Sequence, residues 1–173
     1  VQAGLKKKEI EALGELLGHY DLTWPTKSQR ITSPFSQRIH PITGKQQSHG
    51  GIDIGPMIPG TQGDKIVAAL SGKVIKLGFQ FDEEKKTGAG LYLVIESIYK
   101  GQKLHIYYMH LKENSVVVQE NDFVKAGQHI ANMGATGGAT GPHLHFEIRV
   151  MENGKWVKKD PMSWQYKQKE LEQ

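Results

Sequence analysis

The 173-residue chain contains no cysteine. That excludes disulfides and any metal site built on thiolates. No apolar run approaches the roughly 18 residues that mark a membrane-spanning helix, so membrane insertion is not expected. Aromatic residues are sparse at 8%. No aromatic-basic stripe or nucleic-acid motif is present, so nucleic acid is not an expected partner. Internal repeats and low-complexity segments are absent. Helical periodicity is nearly absent too. It is confined to residues 5–20, where Leu5, Ile10, Leu13, Leu16, Leu17 and Tyr20 recur at three- and four-residue spacing between charged positions. That segment reads as one amphipathic helix, a docking helix or the end of a linker. No secretory signal precedes it and the chain does not open with Met, as expected of a mature form or an excised piece of a larger chain.

What the chain has in quantity is glycine, 20 residues, most of them between short β-rich runs. This predicts turns and an all-β or β-dominated fold. At this length a single domain with a buried core is expected, monomeric as a domain. Strands are predicted at 65–70, 72–78, 90–97, 103–110 and 115–118, then a pair around Gly127, and last a strand carrying Leu144, Phe146, Ile148 and Val150. Asp21 to Ser48 reads mostly as turn and loop, broken by Pro25, Pro34, Pro41 and Gly44. Gln80 to Ala89 reads as a long hairpin loop and Gly55 to Asp64 as another, both bordering a cleft. Residues 165–173 read as a polar, helix-permissive, fraying tail.

Two histidine stretches carry the chemistry. One is His49-Gly50-Gly51-Ile52-Asp53, the other Gly141-Pro142-His143-Leu144-His145-Phe146-Glu147. Together they supply three imidazoles and a carboxylate, and a catalytic zinc takes three such ligands and leaves one position open. Calcium and magnesium want oxygen ligands and suit this set less well. His143 and His145 are two apart on a predicted strand, so both face one side, and periodicity does not say which is a ligand. In a straight strand His49 and Asp53 would stand about 13 Å apart. The two glycines between them can bend the chain and bring them together. The short patterns are weak alone. With 8 His and 6 Asp in 173 residues, His-x-x-x-Asp is expected about 0.3 times by chance.

The longer strings are more specific. Gly134-Ala135-Thr136-Gly137-Gly138-Ala139-Thr140-Gly141 leading into His143 to Arg149 closely resembles the signature of the lysostaphin/LytM-type zinc endopeptidases. So do Ile31 to Phe35, Arg38 to Gly44, His49 to Asp53, and Tyr107-Tyr108-Met109-His110-Leu111. The resemblance runs in order from about Trp24 to Trp164. It implies an antiparallel β-sheet metallopeptidase core of the duplicated hybrid motif type, with the short N-terminal helix appended. The implied divisions are a helical leader or linker over 1–21, the metallopeptidase domain over 22–165 and a tail over 166–173. It implies zinc held by His49, Asp53 and His145, with His110 and His143 as catalytic histidines on the open side. Zinc would lower the pKa of a bound water from 15.7 to about 7. His143 would take the water's proton and deliver it to the leaving amine, and His110 would share that task or stabilise the oxyanion.

The implied substrate is a peptide bond in the stems or cross-bridges of bacterial peptidoglycan. The implied location is the extracellular face or cell wall, as an autolysin, or a phage virion. A net charge of +4 suits a polyanionic wall. Two other readings stay open: a catalytically silent wall-binding or phage-tail module of the same fold, and a zinc carboxypeptidase or amidase on the same polymer. The chain departs from the pattern in three places. No Tyr lies between Tyr20 and Tyr92 to act as an oxyanion donor, Met109 stands where a small residue is usual, and the Gln80–Ala89 stretch is long. His40 reads as a groove residue, and His19, His105 and His129 as ordinary surface or core histidines.

Overall fold

The computed structural model describes residues 22–39 and 46–167. The helix expected over 5–20, His19, His40 and Lys45 lie outside them. The strands, in chain order, are β1 (Leu22–Thr23), β2 (Ile31–Ser33), β3 (Ser36–Ile39), β4 (Gln46–His49), β5 (Ile52–Ile54), β6 (Lys65–Val67), β7 (Gly72–Asp82), β8 (Thr87–Tyr99), β9 (Gln102–Leu111), β10 (Phe123–Val124), β11 (His129–Asn132), β12 (Leu144–Glu152), β13 (Lys155–Lys159) and β14 (Tyr166–Lys167). One 3₁₀ turn, Pro161–Ser163, separates the last two, with Asp160 capping its N-terminus. The β-dominated, antiparallel architecture is therefore as expected.

The main sheet has eight strands, in the order β10-β7-β8-β9-β12-β5-β2, with β13 also paired to β12. Strand β12 is its spine. It pairs with β9 along one edge, and with β5 and β13 at the two ends of the other. The period of two along β12 explains its place. Leu144, Phe146, Ile148 and Val150 are buried to 2% exposure or less, while His145, Glu147 and Arg149 point to the opposite face. Leu104, Ile106 and Tyr108 of β9 and Leu93 and Ile95 of β8 continue the same apolar face. The smaller β6–β11 pair covers it, bringing Ile66, Ile130 and Ala131 into one cluster with them. Truncating Phe146 to Ala in such a core costs about 3–5 kcal/mol. The polar face of β12 is thus carried on a strand whose other face is packed into the core.

Several local expectations are corrected. Gln80–Ala89 is no loop. Strands β7 and β8 run through it as a ribbon and turn within Glu83–Lys86, where the Asp82 carboxylate accepts from the Glu84 and Lys85 amides. From Lys76 to Thr87 the ribbon buries neither face fully, so no hydrophobic alternation marks it in the sequence. Residues 115–118 form no strand. Ser115 turns back onto Lys112, and Val117 makes a single backbone bond to Ile130. The predicted strand 65–70 ends at Val67. The Asp21–Ser48 stretch holds four short strands, too short to show a period. Tyr166 and Lys167, assigned to the tail, pair in parallel with β1, and the Tyr166 ring meets Trp24 edge-on at 5.0 Å.

Candidate metal centre

Asp53 and His145 are directly opposite each other on β5 and β12. A cross-strand pair of this kind brings side chains together without any special backbone. His145 Nδ1 lies 2.9 Å from Asp53 Oδ1. His49 ends β4, the chain bends at Gly50 and Gly51, and Asp53 follows in β5. The bend brings His49 Nε2 to 3.2 Å from the same Oδ1. Gly51 permits it, since a Cβ there would lie 2.4 Å from the Phe146 carbonyl oxygen. The strand-with-a-bend expected for this stretch is what forms.

The donor geometry fits a metal ion. Ligand atoms of His49, Asp53 and His145 all lie within 4.8 Å of one another. A tetrahedral ion with ligands at about 2.0–2.1 Å separates neighbouring ligand atoms by about 3.3 Å. Each ring is also oriented from behind. His49 Nδ1 donates to the Pro34 carbonyl at 2.9 Å, which leaves Nε2 unprotonated toward the site. His145 Nε2 donates to Glu147 Oε1 at 3.0 Å, which leaves Nδ1 for the ion. Glu147 is itself buried, and Arg149 Nε and Lys158 Nζ face its Oε2. The sequence reading gave Glu147 no role. Its signal was the period of two, which puts it on the same face as His145, one row along.

His143 and His110 stand beside this trio. His143 Nε2 is 3.6 Å from Asp53 Oδ1, and its Nδ1 donates to the Gly141 carbonyl at 3.0 Å. His110 Nδ1 donates to the Thr136 carbonyl at 2.7 Å. The His110 ring centroid is 4.7 Å from that of His143 and 6.3 Å from that of His145. In both neutral rings the unprotonated nitrogen is therefore Nε2. All five residues singled out in the sequence thus meet in one place. His105 and His129 do not join them. His105 stacks on Trp156 at 3.7 Å and bonds Glu96, and His129 bonds Asn132.

Electrostatics follow from crowding. Burial disfavours charge on Asp53, but the hydrogen bond from His145 and the nearby rings of His143 and His49 outweigh it and hold the carboxyl below its ordinary range. Burial likewise favours a neutral His145, yet its bonds to Asp53 and Glu147 push its pKa up to about 9. Glu147 is held low against burial by His145, Arg149 and Lys158. For His110 burial wins over the bond to Thr136, and its pKa is lowered. A cation at His145 Nδ1 would take the place of a proton, so metal binding there would be coupled to pH.

Comparison with known proteins agrees with this geometry. The chain is 41% identical over 125 residues to Peptidoglycan DD-endopeptidase ShyB of Vibrio cholerae, covering 70% of this chain and 25% of that protein. It spans about a quarter of the length of the curated relatives it matches. The crystal structure of a zinc containing peptidase from Vibrio cholerae aligns with a TM-score of 0.61 at 35% identity, over 80% of this chain and 39% of that one. The catalytic domain of lysostaphin from Staphylococcus simulans aligns with a TM-score of 0.54 at 28% identity, over 85% of this chain and 92% of that one. The family model for peptidase family M23 matches residues 47–159. That span runs through all five clustered residues, from His49 to His145, and the chain belongs to peptidase family M23.

Proposed function

We propose that the chain is a zinc-dependent endopeptidase that cuts peptide bonds in bacterial peptidoglycan, acting at the cell wall. The observation that carries this reading is the convergence of His49, Asp53 and His145 with two further imidazole rings, those of His143 and His110, that stand beside them. The names of a peptidoglycan endopeptidase and a zinc containing peptidase among its relatives support it.

His49, Asp53 and His145 would hold the ion, with His49 Nε2, Asp53 Oδ1 and His145 Nδ1 turned toward one another. Zinc there would acidify a bound water and polarise the scissile carbonyl. The protein's own part is proton handling. The Gly141 carbonyl only accepts, so it fixes the Nδ1–H tautomer of His143, and Nε2 carries the lone pair that takes the water's proton. The same nitrogen, once protonated, delivers to the leaving amine. His110 is held in the same tautomer by Thr136, and burial favours its neutral form. A neutral ring of that tautomer has no donor on Nε2, so His110 shares the proton-accepting task and becomes an oxyanion donor only after it has taken a proton.

The bond between cross-linked stems, the one named for ShyB, is the first to test. Zinc-loaded protein should convert a D,D-cross-linked muropeptide dimer into two monomers with a new amino terminus, read by mass spectrometry. A dimer left intact by metal-loaded protein would point to a silent module. Release of terminal D-Ala alone would point to a carboxypeptidase.

A further inference from the structure

We propose that Thr136 is a positioning residue for His110, holding the β-bulge that turns the His110 ring into the site. The proposal rests on the reading of His110 as a proton-handling group.

The argument begins with strand alternation. Ile106 and Tyr108 of β9 point into the core, so a regular strand would send the next even position, His110, into the core as well. It does not go there. Its ring stands beside those of His143 and His145. The β8–β9 ladder explains why. Leu93 is opposite Tyr108, whereas Leu91 is opposite Leu111, so Met109 and His110 together face one residue, Tyr92. This is a β-bulge, which re-aims a side chain. At the bulge His110 has φ of 63°, in the left-handed region that a residue with a Cβ adopts only when its surroundings impose it.

Thr136 supplies that constraint through three bonds. Its hydroxyl donates to the Leu111 carbonyl at 2.6 Å, on the far side of the bulge. The same oxygen accepts from the Leu91 amide at 3.1 Å, on the facing strand. Its carbonyl accepts from His110 Nδ1. One residue therefore ties both strands at the bulge and also fixes the ring's tautomer. The fit is close: a Cβ on Gly90, whose φ is 64°, would lie 2.4 Å from the Thr136 carbonyl carbon. Gly134 adds a link to the neighbouring histidine, since its amide donates to the His110 carbonyl and its carbonyl accepts from the His143 amide, both at 3.1 Å.

The test uses zinc-loaded protein and compares Thr136→Val, which keeps the shape and removes the hydroxyl, with Thr136→Ser, which keeps the hydroxyl. Turnover of the cross-linked dimer, KM, zinc stoichiometry and the ¹⁵N ring signals of His110, assigned with His110→Ala, are read together. Thr136→Val should lower kcat by about 10²-fold, the scale of a catalytic group displaced by about 1 Å, with KM and zinc unchanged. The His110 Nδ1–H signal should be lost or broadened, and Thr136→Ser should restore both. Should the valine variant not fold, Thr136→Ala carries the same test. An unchanged kcat and ring signal in the hydroxyl-less variants overturns the proposal, as does a serine variant as slow as valine, or zinc lost in step with kcat. His110→Ala with full turnover sinks the catalytic reading of His110 instead, while the ring signals still decide what Thr136 holds.

Discussion

The two halves of the site are built on different kinds of backbone. The half proposed to bind metal stands on regular structure. Asp53 and His145 are register partners in neighbouring strands, and His49 joins them across one glycine bend. The other half stands where regular structure fails. His143 precedes β12 and pairs only through an isolated bridge to Gly134, and His110 sits in a bulge with a left-handed φ. The difference matches what each half is proposed to do. A metal holds its own ligands once they are near, so strand register suffices to gather them. A proton-transfer group is held by nothing except the protein, and its nitrogen must lie within hydrogen-bond reach of a moving proton. Backbone carbonyls of Gly141 and Thr136 supply that hold here.

Substitution should separate the halves most sharply at the ligands. His49→Ala, Asp53→Ala and His145→Ala each remove one of three protein ligands. Zinc stoichiometry and turnover should collapse together in all three. His143→Ala and His110→Ala should keep zinc and lose turnover by the roughly 10²–10⁴-fold of a missing acid–base group. Zinc content measured beside rate on all five variants decides the comparison. His143→Ala losing zinc while His145→Ala keeps it would reverse the two roles, a live question because both rings lie within 3.6 Å of Asp53 Oδ1.

The division also explains what was legible in the sequence. The ligand half uses residue types that announce themselves, His and Asp, on a period of two with one glycine break, and the fold class followed from the same glycine-punctuated strands. Placing His143 against His145 needed the family resemblance, since both lie on one face. The bulge at His110 was not legible, because it arises from the register of β8 against β9 and bonds to a loop some 25 residues on. The β7–β8 ribbon was missed for a related reason: its residues from Lys76 to Thr87 pair with each other and bury little, so hydrogen bonding and not burial makes them strands. Glu147 was visible in the string but silent, since an acid two residues from a histidine is more often a solvated charge.

A smaller effect is expected at Glu147, which would reach a bound ion only through His145. Glu147→Gln should weaken zinc affinity by about 10–100-fold while leaving saturable binding intact, as read by competition with a chelator of known affinity. An unchanged affinity would mean that Asp53 and strand register alone orient His145.

A last test asks whether a proton and a metal compete for the same ligand. In chelator-treated protein the folded-state pKa of His145 is raised to about 9, against an ordinary value of about 6.5. A raised pKa means the folded state binds the proton more tightly than the unfolded chain. The stabilisation from this group is therefore fully present below about pH 6.5 and is lost as pH rises through about 9, with a slope of at most about 1.4 kcal/mol per pH unit. Asp53 and Glu147 are shifted the other way; their contributions are present above the ordinary carboxylate range and are lost only as pH falls through their lowered values, so they add no slope in this window. The zinc contribution would run the opposite way, because an ion at Nδ1 would displace the proton and so bind more tightly as pH rises. The thermal midpoint of chelated protein should fall between pH 6.5 and 9, and the gap between zinc-loaded and chelated protein should widen over the same range. His145→Ala should flatten the chelated curve. A zinc-dependent gap that stays constant with pH would show that His145 gives up no proton to the metal, and the ligand would have to be sought elsewhere in the cluster.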